Sequence, residues 1–501
     1  MCETVEVGPK VPVLNARILR SQLLRSRLLQ SHAVALAAIS ICGALLRVWN
    51  LGAKSFWVDE AFSAVIAAAP WHEFWHQIRA AELNMLPYYL LLRIWIQFGS
   101  SEAWLRLLSA LFAIATIPAI YLLASRLFNR RVGLLSASLL AVHPAHIRFS
   151  QEARSYSLTV LLLTLSAIAL LRALRDEKKL YWGAYAVSGV MAAYSHFFAV
   201  FACMAQVIGV GVRPVRQHLR AAIISSLVFA VFIVPIGLFA VSHDVGQLSG
   251  VMRPHFRHLL GVIVLLTGNG PRFVLYLLLW VIAGWQSFRI KSDRQNESAV
   301  GSSYSFLLTW LFLPLFATVV LSYWKAALLP RYLLVSLPAA VILGAAGAMH
   351  LPEKFRALIL VLLVALSLKS VASHYHRPNQ DWRSAIQYVL AHSRSGDAVS
   401  MMPASSAAVF DYYGVLRNAH GPQLQSMTVG TSTPTARNIW VVTMSKPLKL
   451  RAQSRKIRWR EAEADLEQLL TSLGPAYSVS EVHNSPGVRV LLLAPDRTVK
   501  E

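Results

Sequence analysis

The stretch 103–125, AWLRLLSALFAIATIPAIYLLAS, contains a single charged residue, Arg106. A helix of this length, rising about 1.5 Å per residue, crosses the ~30 Å hydrocarbon core of a bilayer. Similar apolar runs recur near 33–50, 132–149, 156–173, 180–195, 197–212, 221–241, 272–289, 304–322, 331–349 and 356–373. The sequence therefore predicts a mainly α, polytopic membrane protein with about 11 transmembrane helices.

Composition excludes two other classes of protein. Of the 501 residues, 56% are hydrophobic and 14% are charged, whereas soluble domains are about 25% charged. A soluble protein could not bury so much apolar surface, and a disordered chain would not carry it. The net charge of +24 is accompanied by no nucleic-acid-binding motif. The three cysteines are too few for a disulfide framework or a zinc site.

The positions of Lys and Arg give a topology. When eleven spans are counted, one side of the membrane receives the basic loops around 126–131, 172–179, 213–220, 289–294 and 354–356, together with the basic segment 1–32. Cytoplasmic loops are enriched in Lys and Arg. We therefore expect a cytoplasmic N-terminus and an extracytoplasmic C-terminus. Counts of 12 or 13 spans remain open.

The first external loop, 51–102, is predicted to be large and membrane-associated. Its segment 70–82 has aromatic and aliphatic residues at helical spacing with charges between them, which is typical of a helix lying in the interface. The apolar segment 83–98 resembles another span, but counting it would move the 126–131 cluster outside. We therefore expect a short helix that lies in or dips into the outer interface.

Three units follow from this division: a cytoplasmic segment 1–32, a transmembrane domain 33–373 and a soluble domain 374–501. Segment 1–32 lacks the cleavage site of a signal peptide. The last unit is predicted to be a small extracytoplasmic α/β domain. Its elements are helices at 381–393 and 460–472 and strands near 438–444, 476–483 and 487–494.

The motif SFWVDEA at 55–61 follows the first span directly. A carboxylate at the membrane surface, such as Asp59 or Glu60, can act as a general base on a substrate delivered from the lipid. The alternative is an ordinary acidic pair at the start of a helix, where negative charge suits the helix dipole.

Two further motifs fall on the same predicted side. In SQEARSY at 150–156, Arg154 could bind a phosphate through its planar guanidinium, or could pair with Glu152 or reach toward the interface. In SYWKAALLPRY at 322–332, Lys325 and Arg331 could hold a lipid phosphate or meet anionic headgroups.

His143 and His146 flank Pro144 on the same side and could bind a metal. Without a nearby Cys or carboxylate, packing is the favoured interpretation, and no metal site is predicted.

Four stretches together resemble the bacterial membrane glycosyltransferases of the GT-C superfamily. They are FWVDEAFSA (56–64), PYYLLLRIW (87–95), SQEARSYSL (150–158) and LPRYLL (329–334). The resemblance covers roughly residues 30–350. It is to the branch that includes protein O-mannosyltransferases, lipid A aminoarabinose transferases and lipopolysaccharide-core sugar transferases.

The resemblance implies an inverting transfer from a polyprenyl-monophosphate-linked sugar to an envelope glycan, lipid or protein. It also implies an extracytoplasmic active site in the bacterial cytoplasmic membrane. Asp59 would be the general base and Glu60 a positioning or backup carboxylate. No cofactor is expected to be required, although Asp59 and Glu60 have the oxygens that a divalent cation uses. The substrate-binding candidates are Asn84, Tyr88, Gln151, Glu152, Arg154, Tyr156, Lys325, Arg331 and Tyr332.

One position departs from the family pattern. Many relatives have a His-Pro-Pro-Leu-Tyr-Tyr segment, whereas this chain begins the corresponding segment with Asn84. An amide does not titrate near neutral pH as an imidazole does. Asn84 is therefore expected to offer only hydrogen bonds, for example to a sugar.

Two other functions remain open. A lipid-linked polysaccharide ligase or polymerase uses similar substrates and a large late external loop with Arg and His. The segment 242–271 carries such residues: Arg253, His255, Arg257 and His258. A lipid or solute transporter would be expected to have charges near the membrane midplane and paired repeats, which the sequence does not show.

Overall fold

The computed structural model shows a bundle of long apolar helices with a small sheet domain at one end. It describes residues 13–496 except 177, 212–215, 217, 243–255, 293–298, 324–327, 378, 419–423, 428–436 and 446–452. Within the described residues, eight helices are long and apolar enough to cross a membrane, or nine if the bent pair at 130–150 is one span. The protein is a mainly α, multi-pass membrane protein.

The helices of the bundle follow one another through short connections. They are α1 (Val13–Val48), then, after the first loop, α5 (Glu102–Leu127), α6 (Arg130–Ala141), α7 (Pro144–Ser150), α8 (Tyr156–Asp176), α9 (Lys179–Ser195), α10 (Ala199–Val210), α11 (Leu219–Ser242), α12 (Phe256–Thr267), α13 (Pro271–Ser292), α14 (Ala299–Leu321), α15 (Leu337–Ala348) and α16 (Glu353–His376). Each predicted span has a helix at its position. The count of eleven is not confirmed, because α9 and α10 are shorter than the other candidate spans.

The segment from Pro330 to Ala348 forms the centre of the bundle. Its seven-residue 3₁₀ turn, Pro330–Ser336, leads directly into α15, and 94% of this span is buried by the other helices. Two tryptophans anchor it: Trp280 donates to the carbonyl of Ala340 and Trp310 to the carbonyl of Val335, both at 2.9 Å. A Cβ at Gly347 would clash with the backbone of Leu279. Small residues here permit the close helix packing that is common in membranes.

The first loop forms a compact group of short helices. It contains α2 (Val58–Ala68), α3 (Trp71–Gln77) and α4 (Leu86–Trp95), with a 3₁₀ turn at Leu83–Met85 and another at Ile96–Phe98. The predicted short helix in 83–98 is confirmed, because ten helical residues rise only about 15 Å. α4 packs against α2, α5 and α9. Arg93 of α4 stacks on the ring of Trp71 at 4.0 Å and donates to the carbonyl of Ala69.

The C-terminal part folds into one five-stranded sheet with helices. Its strands are β1 (Ala398–Met402), β2 (Gln425–Met427), β3 (Ile439–Met444), β4 (Tyr477–Ser485) and β5 (Val488–Pro495), in the order β2-β1-β3-β5-β4. β1 is parallel to β2 and β3, whereas β5 is antiparallel to β3 and β4. The helices are α17 (Trp382–His392), α18 (Ala407–Phe410) and α19 (Gln453–Leu473). The three predicted strands and two predicted helices are confirmed, and β1 and β2 are additional.

Glu102, at the start of α5, joins this sheet domain to the bundle. Its carboxylate accepts hydrogen bonds from Arg383 at 2.7 Å, Arg417 at 2.9 Å and the Tyr413 hydroxyl at 2.8 Å. The Tyr413 hydroxyl in turn accepts a bond from the backbone N–H of Phe56 at 2.7 Å. The domain therefore rests on the segment that leads into α2.

We predict that Glu102→Gln loosens the sheet domain. The change removes the negative charge shared by two guanidinium groups that are only partly exposed, which costs about 1–3 kcal/mol. Thermal unfolding and limited proteolysis of the purified protein would show a lower Tm and faster release of the C-terminal fragment. Glu353→Gln is the matched control, since Glu353 is 89% exposed and 4.0 Å from its partner. Equal behaviour of the two variants would contradict the role given to Glu102.

Candidate active site

Glu60 forms a buried ion pair with Arg106. The Nε and Nη2 atoms of Arg106 each donate to the Glu60 carboxylate at 2.7 Å, and both side chains are at most 4% exposed. The backbone N–H of Ala153 donates to the same carboxylate at 2.9 Å. The Glu60 carboxylate is therefore enclosed by donors from α5 and from the 150–156 motif.

Asp59, the neighbouring carboxylate, has different surroundings. It lies in the first turn of α2 with its side chain 17% exposed, and its Oδ2 is 3.7 Å from Nη1 of Arg331. The guanidinium of Arg331 also lies 5.6 Å from the ring of Trp57. The first loop and the Pro330–Ser336 turn, which are distant in sequence, thus bring a carboxylate and a guanidinium together at this end of the bundle.

Arg154 lies beneath this pair. Its Nη1 donates to the Asp59 carbonyl at 3.3 Å, the Ser63 hydroxyl at 3.2 Å and the Tyr89 hydroxyl at 3.4 Å. The Tyr89 hydroxyl donates to Glu82 at 2.7 Å. Burial raises the pKa of Tyr89 well above its usual value, so the phenol keeps its proton. Arg154 therefore bonds to the backbone and hydroxyls of the first loop, whereas the alternative partner considered for it, Glu152, lies near Arg148.

Gln151 and Glu152, the other candidates from the 150–156 motif, make different contacts. The Gln151 amide donates to the carbonyls of Arg47 and Trp49 and its oxygen contacts His374, so it joins α1 to α16. Glu152 is 3.5 Å from Arg148, and its second oxygen is buried without a hydrogen-bond partner. Burial raises the pKa of Glu152, while Arg148 opposes that rise.

The tyrosines fall into two groups. Tyr88 is fully buried in the first loop, and its hydroxyl bonds to Ser109 at 2.9 Å. Tyr156 and Tyr332 line a small cavity together with Arg331. The structure therefore places Tyr156 and Tyr332 beside the Asp59–Arg331 pair, and Tyr88 within the packing that supports it.

The remaining candidates differ in position. Asn84 lies in the Leu83–Met85 turn, which contacts α9, and its Oδ1 is buried without a partner. Lys325 lies outside the described residues, as do Arg253 and His255. Arg257 and His258 begin α12, which packs against the Pro330–Ser336 turn.

His143 and His146 are used in packing. His146 Nδ1 accepts a bond from Arg47 at 2.8 Å, and His143 Nε2 contacts the carbonyl of Leu266 at 2.9 Å. Among the described residues, no group of three His, Cys, Asp or Glu side chains converges as metal ligands would.

Comparison with known proteins gives the same fold. A family profile described as dolichyl-phosphate-mannose-protein mannosyltransferase matches residues 85–243. ArnT from Cupriavidus metallidurans, solved bound to undecaprenyl phosphate, has a TM-score of 0.57 and 11% identity, covering 94% of this chain and 99% of its own. The chain therefore has the GT-C fold. No curated protein matches the sequence.

A second relative has a larger architecture. The oligosaccharyltransferase AglB from Archaeoglobus fulgidus, in complex with an inhibitory peptide and a dolichol-phosphate, has a TM-score of 0.51 and 11% identity. The match covers 94% of this chain and 75% of AglB. The predictions of a GT-C fold and of a multi-pass membrane protein are therefore confirmed.

Sequence reasoning missed two residues of this GT-C site. Arg106 stood inside a predicted span, where a lone charge is itself a signal of function or pairing. His196 lies between α9 and α10, at a turn that the span count places on the same side as Asp59. It is 7% exposed. Burial, together with repulsion from Arg331 and Arg154, lowers the pKa of His196 to about 3.

Buried polar atoms without hydrogen-bond partners gather around the site. Most buried polar atoms in proteins have a partner, so unpaired ones suggest the position of a ligand. Six such atoms of the described residues belong to the first loop or to the elements around it: Trp57 Nε1, Asn84 Oδ1, Glu152 Oε2, Arg154 Nε, His196 Nδ1 and Arg331 Nε. This part of the GT-C fold is therefore the candidate active site.

We predict a large loss of stability at one of the two adjacent carboxylates and a small change at the other. Glu60→Gln leaves the buried guanidinium of Arg106 without its counter-charge, which is expected to cost about 3–5 kcal/mol. Asp59→Asn should change the Tm little, because that side chain is partly exposed and more distant from its cation. Thermal unfolding followed by tryptophan fluorescence in nanodiscs would measure both, and equal losses would argue against this division of roles.

Proposed function

We propose that the chain transfers a sugar from a polyprenyl-monophosphate-linked donor to a hydroxyl of an envelope glycan, lipid or protein. The observation that carries this proposal is the Asp59 carboxylate facing the Arg331 guanidinium at 3.7 Å. This displacement requires two groups: a carboxylate that can accept a proton and a cation that can hold a phosphate. The surrounding unpaired polar atoms support a ligand at the same position.

Asp59 is the general base of the proposed reaction. The acceptor oxygen attacks the anomeric carbon of the sugar while its proton passes to the Asp59 carboxylate. The bond between that carbon and the phosphate oxygen breaks, and the anomeric configuration inverts. Arg154, by donating to the Asp59 carbonyl, fixes the turn that carries the base.

Arg331 is proposed to hold the departing phosphate. The negative charge on the polyprenyl phosphate rises as the bond breaks, and a preorganised guanidinium stabilises it. The distance from Arg331 to Asp59 exceeds the 2.7 Å of the Arg106–Glu60 pair, which leaves its donors available for a phosphate. Undecaprenyl phosphate in ArnT and dolichol-phosphate in AglB support a lipid monophosphate as the donor's carrier.

The proposed location is the bacterial cytoplasmic membrane, with the site outside. Lys and Arg are abundant in the turns 126–131 and 172–179, at the end of the bundle opposite the sheet domain. The positive-inside preference then assigns the sheet domain and Asp59 to the extracytoplasmic side. Polyprenyl-linked sugars would reach the site from the outer leaflet.

We predict that Asp59→Asn reduces sugar transfer by at least 10²-fold, because an amide cannot accept the proton. Consumption of a panel of polyprenyl-phosphate sugars by purified protein in nanodiscs, with an envelope extract as acceptor, would measure the loss. Glu73→Gln is the control, since Glu73 is a carboxylate of the same loop whose side chain bonds only to Gln77 in the described contacts. An Asp59→Asn enzyme with wild-type turnover would overturn the assignment of the base.

We predict that Arg331→Gln raises the donor KM and lowers kcat, whereas Arg331→Lys retains part of the activity. A lysine keeps the charge but loses the planar fork that grips a phosphate through two bonds. Steady-state kinetics with the donor that wild type consumes would separate the variants. Identical kinetics for Arg331→Gln and wild type would exclude a phosphate contact by Arg331.

A further inference from the structure

His196 presents an unused hydrogen-bonding atom to the candidate site. Its side chain is buried, and its Nδ1 has no partner. The imidazole is held by aromatic rings: the centroid of Tyr332 lies 5.1 Å away, that of Phe198 5.6 Å and that of Tyr156 5.9 Å. A polar side chain fixed in this way is preorganised for a ligand atom rather than free to turn toward water.

The small cavity beside His196 has about 160 Å³ of empty space and a lining of mixed chemistry. His196, Arg331 and Tyr156 provide its polar lining, and Val160, Leu334 and Val335 provide apolar lining. A lipid phosphate has the same combination, because a charged headgroup is joined to an isoprenoid chain. The polar residues suit an oxygen of the phosphate, and the rest of the lipid would lie outside this small cavity.

The electrostatics of the position favour an anion over a neutral sugar hydroxyl. The charges of Arg331 and Arg154 both act on His196 and disfavour its protonation. A neutral imidazole with its proton on Nδ1 still donates one hydrogen bond. An anionic oxygen would be attracted by the two guanidinium groups and would accept that bond.

We propose that His196 donates a hydrogen bond from Nδ1 to the phosphate of the lipid-linked donor, beside Arg331. This inference rests on the proposed function, since it names a further residue that binds the donor. His196 is a binding residue in this assignment and takes no proton during the reaction. Its hydrogen bond orients the phosphate, whose negative charge is balanced by Arg331 and Arg154.

The test compares two probes that differ only in the phosphate. Binding of undecaprenyl phosphate and of undecaprenol to the full-length protein in nanodiscs would be measured for wild type, His196→Leu and His196→Asn. A hydrogen bond to a charged group corresponds to roughly a 10- to 100-fold change in affinity. His196→Leu should weaken undecaprenyl phosphate binding by that factor and leave undecaprenol binding unchanged. His196→Asn, whose amide can occupy the position of Nδ1, should recover most of the affinity.

A matched control separates this role from simple packing. His143→Leu removes an equally buried imidazole that bonds to the carbonyl of Leu266. It should lower the Tm without changing the ratio of the two affinities. If His196→Leu does not fold, the proposal is tested with His196→Asn alone. Its ratio of undecaprenyl phosphate affinity to undecaprenol affinity should then be close to that of wild type, and a strongly lowered ratio would contradict the proposed replacement of Nδ1 by the amide.

Other outcomes would overturn the proposal in distinguishable ways. Equal weakening of both probes in His196→Leu would identify a packing residue. An unchanged undecaprenyl phosphate affinity with a raised donor KM would assign the contact to the sugar. Wild type that binds neither probe and consumes no polyprenyl-phosphate sugar would refute the proposed function itself, and the role of His196 with it.

Discussion

The candidate site depends on one guanidinium inside the protein. Besides Glu60, Arg106 donates to the carbonyls of Leu51 and Lys54, both at 2.7 Å, and to that of Ser55 at 3.2 Å. Three of its five hydrogen bonds go to the backbone before α2 and two go to the Glu60 carboxylate, a pattern that suits a planar guanidinium. Glu60 also accepts a hydrogen bond from the backbone N–H of Ala153. Through Glu60, Arg106 of α5 therefore joins the first loop to the turn that carries Arg154.

This arrangement explains how two adjacent carboxylates come to have different surroundings. A buried ion pair costs desolvation free energy for both charges, so its benefit lies in geometry as much as in stability. Glu60 is enclosed and fixes the start of α2, which directs Asp59, one residue earlier, toward Arg331. The proposed base thus remains partly accessible while its backbone is held from two sides, by Arg106 through Glu60 and by Arg154 at its own carbonyl.

The sequence allowed the fold to be predicted because hydropathy and loop charge are local signals. Every predicted span has a helix, and the short helix of 83–98 followed from the sidedness of Arg clusters. Side-chain pairing is not local, since Arg106 meets Glu60 across 46 residues and Gln151 meets the carbonyl of Arg47 across 104. Gln151 was therefore predicted as a substrate-binding residue although its amide joins helices. Charge type suggested Asp59, Arg154 and Arg331, but no pattern distinguished the enclosed Glu60 from its neighbour. His196 was recoverable in principle from its place at an outer turn.

The contact between Phe56 and Tyr413 has a consequence for biogenesis. The two residues are 357 positions apart in the sequence. All of the later spans must therefore be synthesised after the first loop and before Tyr413 leaves the ribosome. Until then the carbonyls and N–H groups before α2 lack part of their final support. A nascent chain interrupted after the last span but before Tyr413 would have its spans in the membrane yet an incompletely braced first loop. The first loop is therefore fully supported only after the spans that follow it have been made.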